Sequence, residues 1–357
     1  MIVFRVDSSA QIGSGHLMRC LTLAGKLKKE NQVEIGFVSR DLEGNLNHLI
    51  EKNGYRLFPL PEALSTEELT GYEKWLTVKQ VFDAGQTKKL LQGLTVDCLV
   101  IDSYALDEIW ENIVRPYVNQ VMVIDDLANR KHNCDILLDQ NYYCDMANRY
   151  TGLVPANCQL LLGPQYALLR EEFYEARKKI RNRDGNVKNI LVFFGGSDLT
   201  NETMKALKAL ESLHRSDIQL NVVVGANNKN KKSIEAFCLQ HDNMQYFCQV
   251  NNMAELMNEA DLSFGAGGTT TWERCFLGLP SIVIAIAKNQ IQICEDCNKL
   301  GIIRYAGKTE MVDVESLRDC SRKLLDNKTE IKKMQNQIDL LFGNISAKSV
   351  GIGSLSK

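Results

Sequence analysis

The chain has no apolar run near the roughly 18 residues that a membrane-crossing helix requires, and no basic-then-apolar leader precedes the apolar segment at residues 2–6. A membrane span is therefore not expected, and a cytoplasmic location is. Excess positive charge is also missing. The 42 Lys and Arg residues against 44 Asp and Glu leave a formal charge of −2, which argues against the basic surface that nucleic acid demands. There is no Gly-x-Ser-x-Gly nucleophile elbow, no Walker phosphate loop and no full Gly-x-Gly-x-x-Gly dinucleotide fingerprint. The eleven cysteines build no disulfide framework, and many stand in apolar settings such as Val96-Asp97-Cys98-Leu99-Val100, the pattern of reduced thiols. One Cys-x-x-Cys, Cys294-Glu295-Asp296-Cys297, is followed by no second ligand pair, which zinc would need. It reads as two small thiols on a helix, and neither a metal nor a cofactor is expected.

What is present is an alternation of short apolar strands with helical patterns. Strands are predicted at 2–6, 33–38, 55–60, 98–102, 120–124 and 135–138. After a connecting helix over 169–181 the alternation restarts at 189–194 and continues at 219–224, 244–247, 261–264, 281–285 and 302–305. Such alternation means βαβ units and mostly parallel sheets. The fold expected is α/β, with two Rossmann-like doubly wound domains facing across a cleft, one over residues 1–176 and one over 177–357. The polar stretch Arg181-Asn182-Arg183-Asp184-Gly185-Asn186 suits a boundary. Residues 62–92 read as helices with a mobile surface and 310–341 as two helices, which could pack back on the first domain. The tail from residue 343 reads as loosely ordered.

Each half opens with an apolar strand that runs into a glycine turn, where ligands bind in such folds. In the first half the turn is Gly13-Ser14-Gly15-His16, followed by a helix pattern through Leu17, Leu21, Leu23 and Leu27. Backbone N–H groups at such a helix start attract anions. His16 at its mouth is a candidate acid–base group, with Arg19 one turn on.

In the second half, Gly265-Ala266-Gly267-Gly268-Thr269-Thr270-Thr271 leads from a buried strand into a helix. The backbone N–H groups of Gly267, Gly268, Thr269 and Thr270 could cradle a diphosphate. Glu273 has two readings, a ribose contact or the capping-box partner of Thr269 or Thr270. Lys288, Asn289 and Gln290 follow the strand at 281–285 and either point at the cleft or cap the next helix. Asp102, Asp125 and Asp126 stand where strands end, and nothing in their spacing demands a metal; Asp at such places often caps a turn. His132 lies in a polar loop and either touches the cleft or is solvated; His48, His214 and His241 read as surface residues.

Several segments match one family's pattern in order: Gly13-Ser14-Gly15-His16-Leu17-Met18-Arg19, Ile101-Asp102-Ser103-Tyr104, and Cys134-Asp135-Ile136-Leu137-Leu138-Asp139-Gln140-Asn141. So do Gly152-Leu153-Val154-Pro155, Tyr166-Ala167-Leu168-Leu169-Arg170-Glu171-Glu172-Phe173, Gly195-Gly196-Ser197-Asp198 with Asn201, and Lys288-Asn289-Gln290. Over residues 1–305 the chain resembles the UDP-sugar hydrolases of pseudaminic acid biosynthesis, the PseG family, which are similar in fold to GT-B glycosyltransferases such as MurG. The resemblance implies removal of UDP from UDP-2,4-diacetamido-2,4,6-trideoxy-β-L-altropyranose by water attack at the anomeric carbon, with inversion and without a metal, on the way to flagellin glycosylation. It implies His16 as the general base or the group that orients the water, and Tyr104 as an aromatic residue near that water. Asn201, Glu273, Asn289 and Gln290 fall on or beside its nucleotide and sugar contacts. A UDP-sugar substrate and a monomer or weak dimer are expected.

Two departures mark the second half. Its Gly- and Thr-rich loop also resembles glycosyltransferases and spore-coat polysaccharide proteins, and 310–357 exceeds the shorter family members. A glycosyltransferase using the same donor, or a non-catalytic nucleotide-sugar binding protein, is the alternative reading.

Overall fold

The computed structural model describes residues 1–343; the tail at 344–357, expected to be loosely ordered, lies outside the described residues. The described chain forms two compact units, Met1–Asn141 with Asp145–Leu168, and Tyr142–Cys144 with the chain from Leu169 onward.

The first unit alternates β1 (Ile2–Val6), α1 (Gly15–Asn31), β2 (Ile35–Arg40), α2 (Asn47–Lys52) and β3 (Arg56–Leu60). Then come α3 (Glu73–Leu76), α4 (Gln80–Leu91), β4 (Val96–Asp102), α5 (Glu108–Val114), β5 (Val118–Ile124), β6 (Ile136–Asp139) and β7 (Gln159–Leu162). All seven strands are parallel, in the order β3-β2-β1-β4-β5-β6-β7. A parallel sheet covered on both faces needs apolar residues at every position of its inner strands. Accordingly Ile2, Phe4 and Val6 of β1 join the core under α1, whereas Val3 joins the core under α4 and α5.

The second unit contains α6 (Glu171–Arg177), β8 (Asn189–Phe193), α7 (Glu202–Glu211), β9 (Gln219–Val224), α8 (Lys231–Cys238) and β10 (Met244–Cys248). It continues through α9 (Met253–Glu259), β11 (Leu262–Ala266), α10 (Thr270–Phe276), β12 (Ser281–Ala285) and α11 (Ile291–Leu300). It closes with β13 (Arg304–Lys308), α12 (Val314–Leu325) and α13 (Lys328–Phe342). Its sheet is parallel as well, in the order β10-β9-β8-β11-β12-β13. Both sheets therefore reverse direction beside their first strand, between β1 and β4 and between β8 and β11, which is the doubly wound arrangement.

Several expectations shift. The division falls at Leu168–Leu169 rather than after residue 176, because α6 buries Phe173 and packs on α9 and α10 of the second unit. In helices α12 and α13, Leu317, Leu324, Ile331 and Met334 belong to the core of the second unit. Residues 62–92 do form helices, but α4 is no loose surface element. Its buried Asp83 accepts hydrogen bonds from Arg5, Arg40 and Trp110, tying α4 to β1, β2 and α5.

Candidate functional site

In the first unit the chain leaves β1 through Asp7 and Ser8 and turns at Ser9, whose Oγ accepts from Gln11 N–H and Ile12 N–H. Gly13 takes φ +80°, a left-handed conformation that favours glycine. Ser14 caps α1 without a side-chain hydrogen bond, so the first N–H groups of a 17-residue helix have no side-chain partner there. Gly15 is the first residue of that helix and His16 the second.

His16 is 9% exposed. Its Nδ1 lies 2.6 Å from Asp102 Oδ1 at the end of β4, the strand next to β1. A carboxylate only accepts, so a hydrogen on Nδ1 serves Asp102, and in the neutral ring Nε2 then keeps the lone pair; Arg19 Nη2 also lies 3.2 Å from Nδ1. Arg19, one turn along α1, donates through Nε to Asp102 Oδ2 and through Nη2 to Oδ1, each at 2.6 Å. It also donates through Nη1 to Asp126 Oδ2 at 3.0 Å, and Cys20 Sγ donates to Asp102 at 3.4 Å. Burial by itself pushes the Asp102 carboxyl up, but the charge of Arg19, with hydrogen bonds from Arg19 and His16, outweighs it and holds Asp102 well below the usual carboxylate range. Asp102 is thus a fixed anion that orients the imidazole and would stabilise its protonated form.

Tyr104 donates its hydroxyl to Asp126 Oδ1 at 2.5 Å, and burial, then the Asp126 charge, pushes its pKa far up, so it stays a neutral phenol. Its ring stands at 85° to the imidazole, 4.6 Å away between centroids. Next to this cluster, burial, reinforced by Asp126, pushes the Asp139 carboxyl up to about 7. Asp139 Oδ1 accepts from Asn141 N–H, and Oδ2 lies 2.9 Å from the Tyr150 hydroxyl. That single hydroxyl also lies 3.0 Å from the Asp125 carbonyl.

The three strand-end carboxylates of the first unit are each held by arginine: Asp102 and Asp126 by Arg19, Asp125 by Arg130. Asp125 also closes a turn by accepting from Ala128 N–H. His132 is neither solvated nor a ligand contact on display. It is 3% exposed, with Nδ1 2.6 Å from Glu111 Oε1, because the loop folds under α5. His48 and His214 are exposed and His241 is half-buried.

In the second unit β8 runs into Gly195, at φ +96°, and Gly196. Asp198 then caps α7 by accepting from Glu202 and Thr203 N–H. Asn201 precedes α7 in a left-handed conformation, and its buried Oδ1 has no hydrogen-bond partner. The turn after β9 presses on the first turn: a Cβ on Gly225 would fall within the backbone of Gly196.

Gly267 and Gly268 link β11 to α10, with Thr269 as N-cap and Thr270 as first helical residue. A Cβ at Gly267 would overlap the Cys294 sulfur, and one at Gly265 would meet Arg274. Close packing therefore explains those two glycines, whereas a Cβ at Gly268 meets nothing nearer than Gln290 Nε2 at 3.6 Å. Arg274, fully buried, donates to the Ala266 carbonyl at 2.9 Å and to Thr271 Oγ1 at 3.1 Å, fixing the loop from beneath.

Thr269, the N-cap of α10, makes no side-chain cap bond; Glu273 Oε1 lies 3.4 Å from Arg170 Nη2. Burial raises the Glu273 pKa against the opposing charge of Arg170. Lys288, Asn289 and Gln290 form one 3-10 turn. Gln290 sits beside Gly267 and Gly268 and accepts from Ile286 N–H at 3.0 Å, whereas Lys288 is exposed. Cys294 and Cys297 are buried on α11, and burial pushes the Cys294 thiol up to about 12, which suits packing rather than reactivity.

Asp102 and Asp126, the partners of His16 and Tyr104, are residues to which the sequence assigned no more than a turn cap. The available signal was their place at strand ends. Trp75 of α3, which approaches His16, and Tyr72, which packs on Tyr104, carried none.

Residues 189–348 match the glycosyltransferase family 28 C-terminal domain. The chain is 29% identical over 298 residues to "Uncharacterized protein MJ1062" of Methanocaldococcus jannaschii, covering 82% of this chain and 56% of that protein. The chain thus spans little more than half the length of that relative. It is also 29% identical over 289 residues to the UDP-2,4-diacetamido-2,4,6-trideoxy-beta-L-altropyranose hydrolase of Campylobacter jejuni, covering 81% of this chain and 93% of that protein. Among solved structures, MurG of Acinetobacter baumannii superposes with a TM-score of 0.60 at 14% identity, over 95% of this chain and 98% of that one. Among the described residues no helix is long and apolar enough to cross a membrane. The two Rossmann-like units make up a GT-B fold, and the family 28 C-terminal match falls in the second of them.

Proposed function

We propose that this chain is a UDP-sugar-processing enzyme of pseudaminic acid biosynthesis. In this reading it hydrolyses UDP-2,4-diacetamido-2,4,6-trideoxy-β-L-altropyranose to UDP and the free sugar. The similarity to the Campylobacter jejuni hydrolase of that name supports the substrate. One observation carries the chemistry: His16 Nδ1 is held by the anionic Asp102 at 2.6 Å at the carboxyl ends of β1 and β4, so Nε2 is a base at the position where doubly wound sheets bind ligands.

Nε2 accepts a proton from water as the water oxygen forms its bond to the anomeric carbon. The bond from that carbon to the diphosphate oxygen breaks on the opposite side, its electron pair leaves with UDP, and the configuration inverts. Asp102 stabilises the imidazolium, and Arg19 keeps Asp102 ionised. In the second unit, the N–H groups from Gly267 to Thr270, with Asn201 and Gln290, receive the UDP, and Glu273 its ribose. The reading calls for no metal.

The test is UDP release from this nucleotide sugar in oxygen-18 water with EDTA present. Label in the sugar and none in UDP is expected. His16→Asn should lower turnover by about 10²–10⁴-fold while UDP affinity is kept; equal loss of both would remove the base from His16. Release of UDP only after an acceptor is added would move the chain to a glycosyltransferase, the reading that the family 28 domain match favours.

A further inference from the structure

An aromatic cluster stands beside the imidazole of His16. Trp75, on α3, lies 6.0 Å from it between ring centroids and stacks on Tyr104 at 5.5 Å and 30°. Tyr72 closes the group at 4.8 Å from Trp75 and 5.1 Å from Tyr104. These rings are not core: Tyr72 is 36% exposed and Trp75 half-buried, while the other two tryptophans, Trp110 and Trp272, are fully buried.

The segment that carries them is held in place. Leu76 and Val78 are buried in the first unit's core. Thr77, in a left-handed conformation, donates through Oγ1 to the Ala63 carbonyl at 2.6 Å, and Ser65 N–H donates to the Thr77 carbonyl at 2.8 Å. Lys79 Nζ lies 3.0 Å from Glu73. Both rings stay accessible beside the imidazole on a segment that the core holds in place.

We propose that Tyr72 and Trp75 form an apolar platform for the sugar ring of the substrate, selecting sugars that present methyl groups over sugars that present hydroxyls. The proposal rests on the hydrolase reading for the placement of the sugar: the base must reach the water that attacks the anomeric carbon, so the ring containing that carbon lies within reach of whatever surrounds His16. A 6-deoxy carbon and two acetamido methyls give such a sugar apolar faces that stack on indole and phenol rings, whereas a hydroxymethyl group would lose its water there without a partner.

The test combines kinetics with tryptophan emission. Trp75→Ala should lower kcat/KM for the diacetamido-trideoxy substrate by about ten-fold, mainly through KM. UDP inhibition should be unchanged, discrimination against UDP-N-acetylglucosamine should shrink, and Trp75→Phe should restore most of the loss. Emission from the buried Trp110 and Trp272 verifies that Trp75→Ala remains folded. Unchanged kcat/KM and selectivity in Trp75→Ala, or an equal weakening of UDP, overturns the platform.

Emission of the wild-type protein separates this proposal from the hydrolase reading. A change on adding the nucleotide sugar, absent with UDP alone and absent in Trp75→Phe, supports the platform even if no turnover is seen. Turnover without such a change overturns the platform and leaves the hydrolase reading standing.

Discussion

The two units share one sheet order up to the extra strand of the first, yet they furnish the same topological position with opposite materials. Beside β1 and β4 the first unit gathers side chains: an imidazole, a guanidinium, a phenol and two carboxylates joined by bonds of 2.5–3.0 Å. Beside β8 and β11 the second unit presents backbone, and its charged Arg274 is turned inward to brace the loop. Topology supplies a place where peptide ends and strand ends converge; the residues placed there decide whether it moves protons or receives anions. A proton-transfer site needs groups that change charge, whereas a diphosphate is served by N–H groups that cannot.

The largest effect on this contrast should come from Asp102→Asn. It removes the orienting anion and leaves Arg19 without its main partner, so turnover should fall by about 10²–10⁴-fold and the first unit should lose about 3–5 kcal/mol. Steady-state kinetics and chemical denaturation would show both, and wild-type turnover in this variant would end the dyad argument. In the second unit, Gly267→Ala should cost about 1–3 kcal/mol by overpacking against Cys294. Gly268→Ala, with open space, should stay within about 0.5 kcal/mol of the wild type yet bind UDP about ten-fold more weakly through a blocked backbone approach. Calorimetry on the pair separates packing from ligand contact, and full UDP affinity in Gly268→Ala would remove that residue from the cradle.

Glu273→Gln should raise KM several-fold with kcat nearly unchanged, since a ribose contact acts equally on ground and transition states; a fall in kcat alone would place Glu273 in the chemistry.

The last prediction concerns Asp139. Its folded-state pKa of about 7 stands above the ordinary 3.8. Between these values the folded protein retains a proton that the unfolded chain has released, so stability falls as pH rises from about 4 to 7. Asp139→Asn should flatten that slope in thermal unfolding measured across the range; an undiminished slope would show that another group carries it.

Much of the fold was legible because buried parallel strands are apolar at every position, as in Ile2-Val3-Phe4 or Ile282-Val283-Ile284. The misses have local causes. β7 has only four residues, Gln159-Leu160-Leu161-Leu162, after an irregular stretch. β13 is Arg304-Tyr305-Ala306-Gly307-Lys308, half-buried throughout, so the apolar Ile302 and Ile303 before it drew the predicted strand two residues early. For the site, His16 stood out from its glycine turn and helix start. Its partner Asp102 is 86 positions away, and only the adjacency of β1 and β4 brings them together, a property of sheet order that no local pattern states. Trp75 sits on a four-residue helix, too short for a periodic signal.

The interlocked Gly196 and Gly225 give the second unit a mechanical property. With no room between their backbones for even one carbon atom, neither of the turns after β8 and β9 can move toward the other. A ligand seated against Gly195 or Gly196 would thus be backed by the turn that leads to α8. Amide exchange in the two turns should slow together on ligand binding, so that a probe on the outlying helix reports occupancy of a loop it never touches.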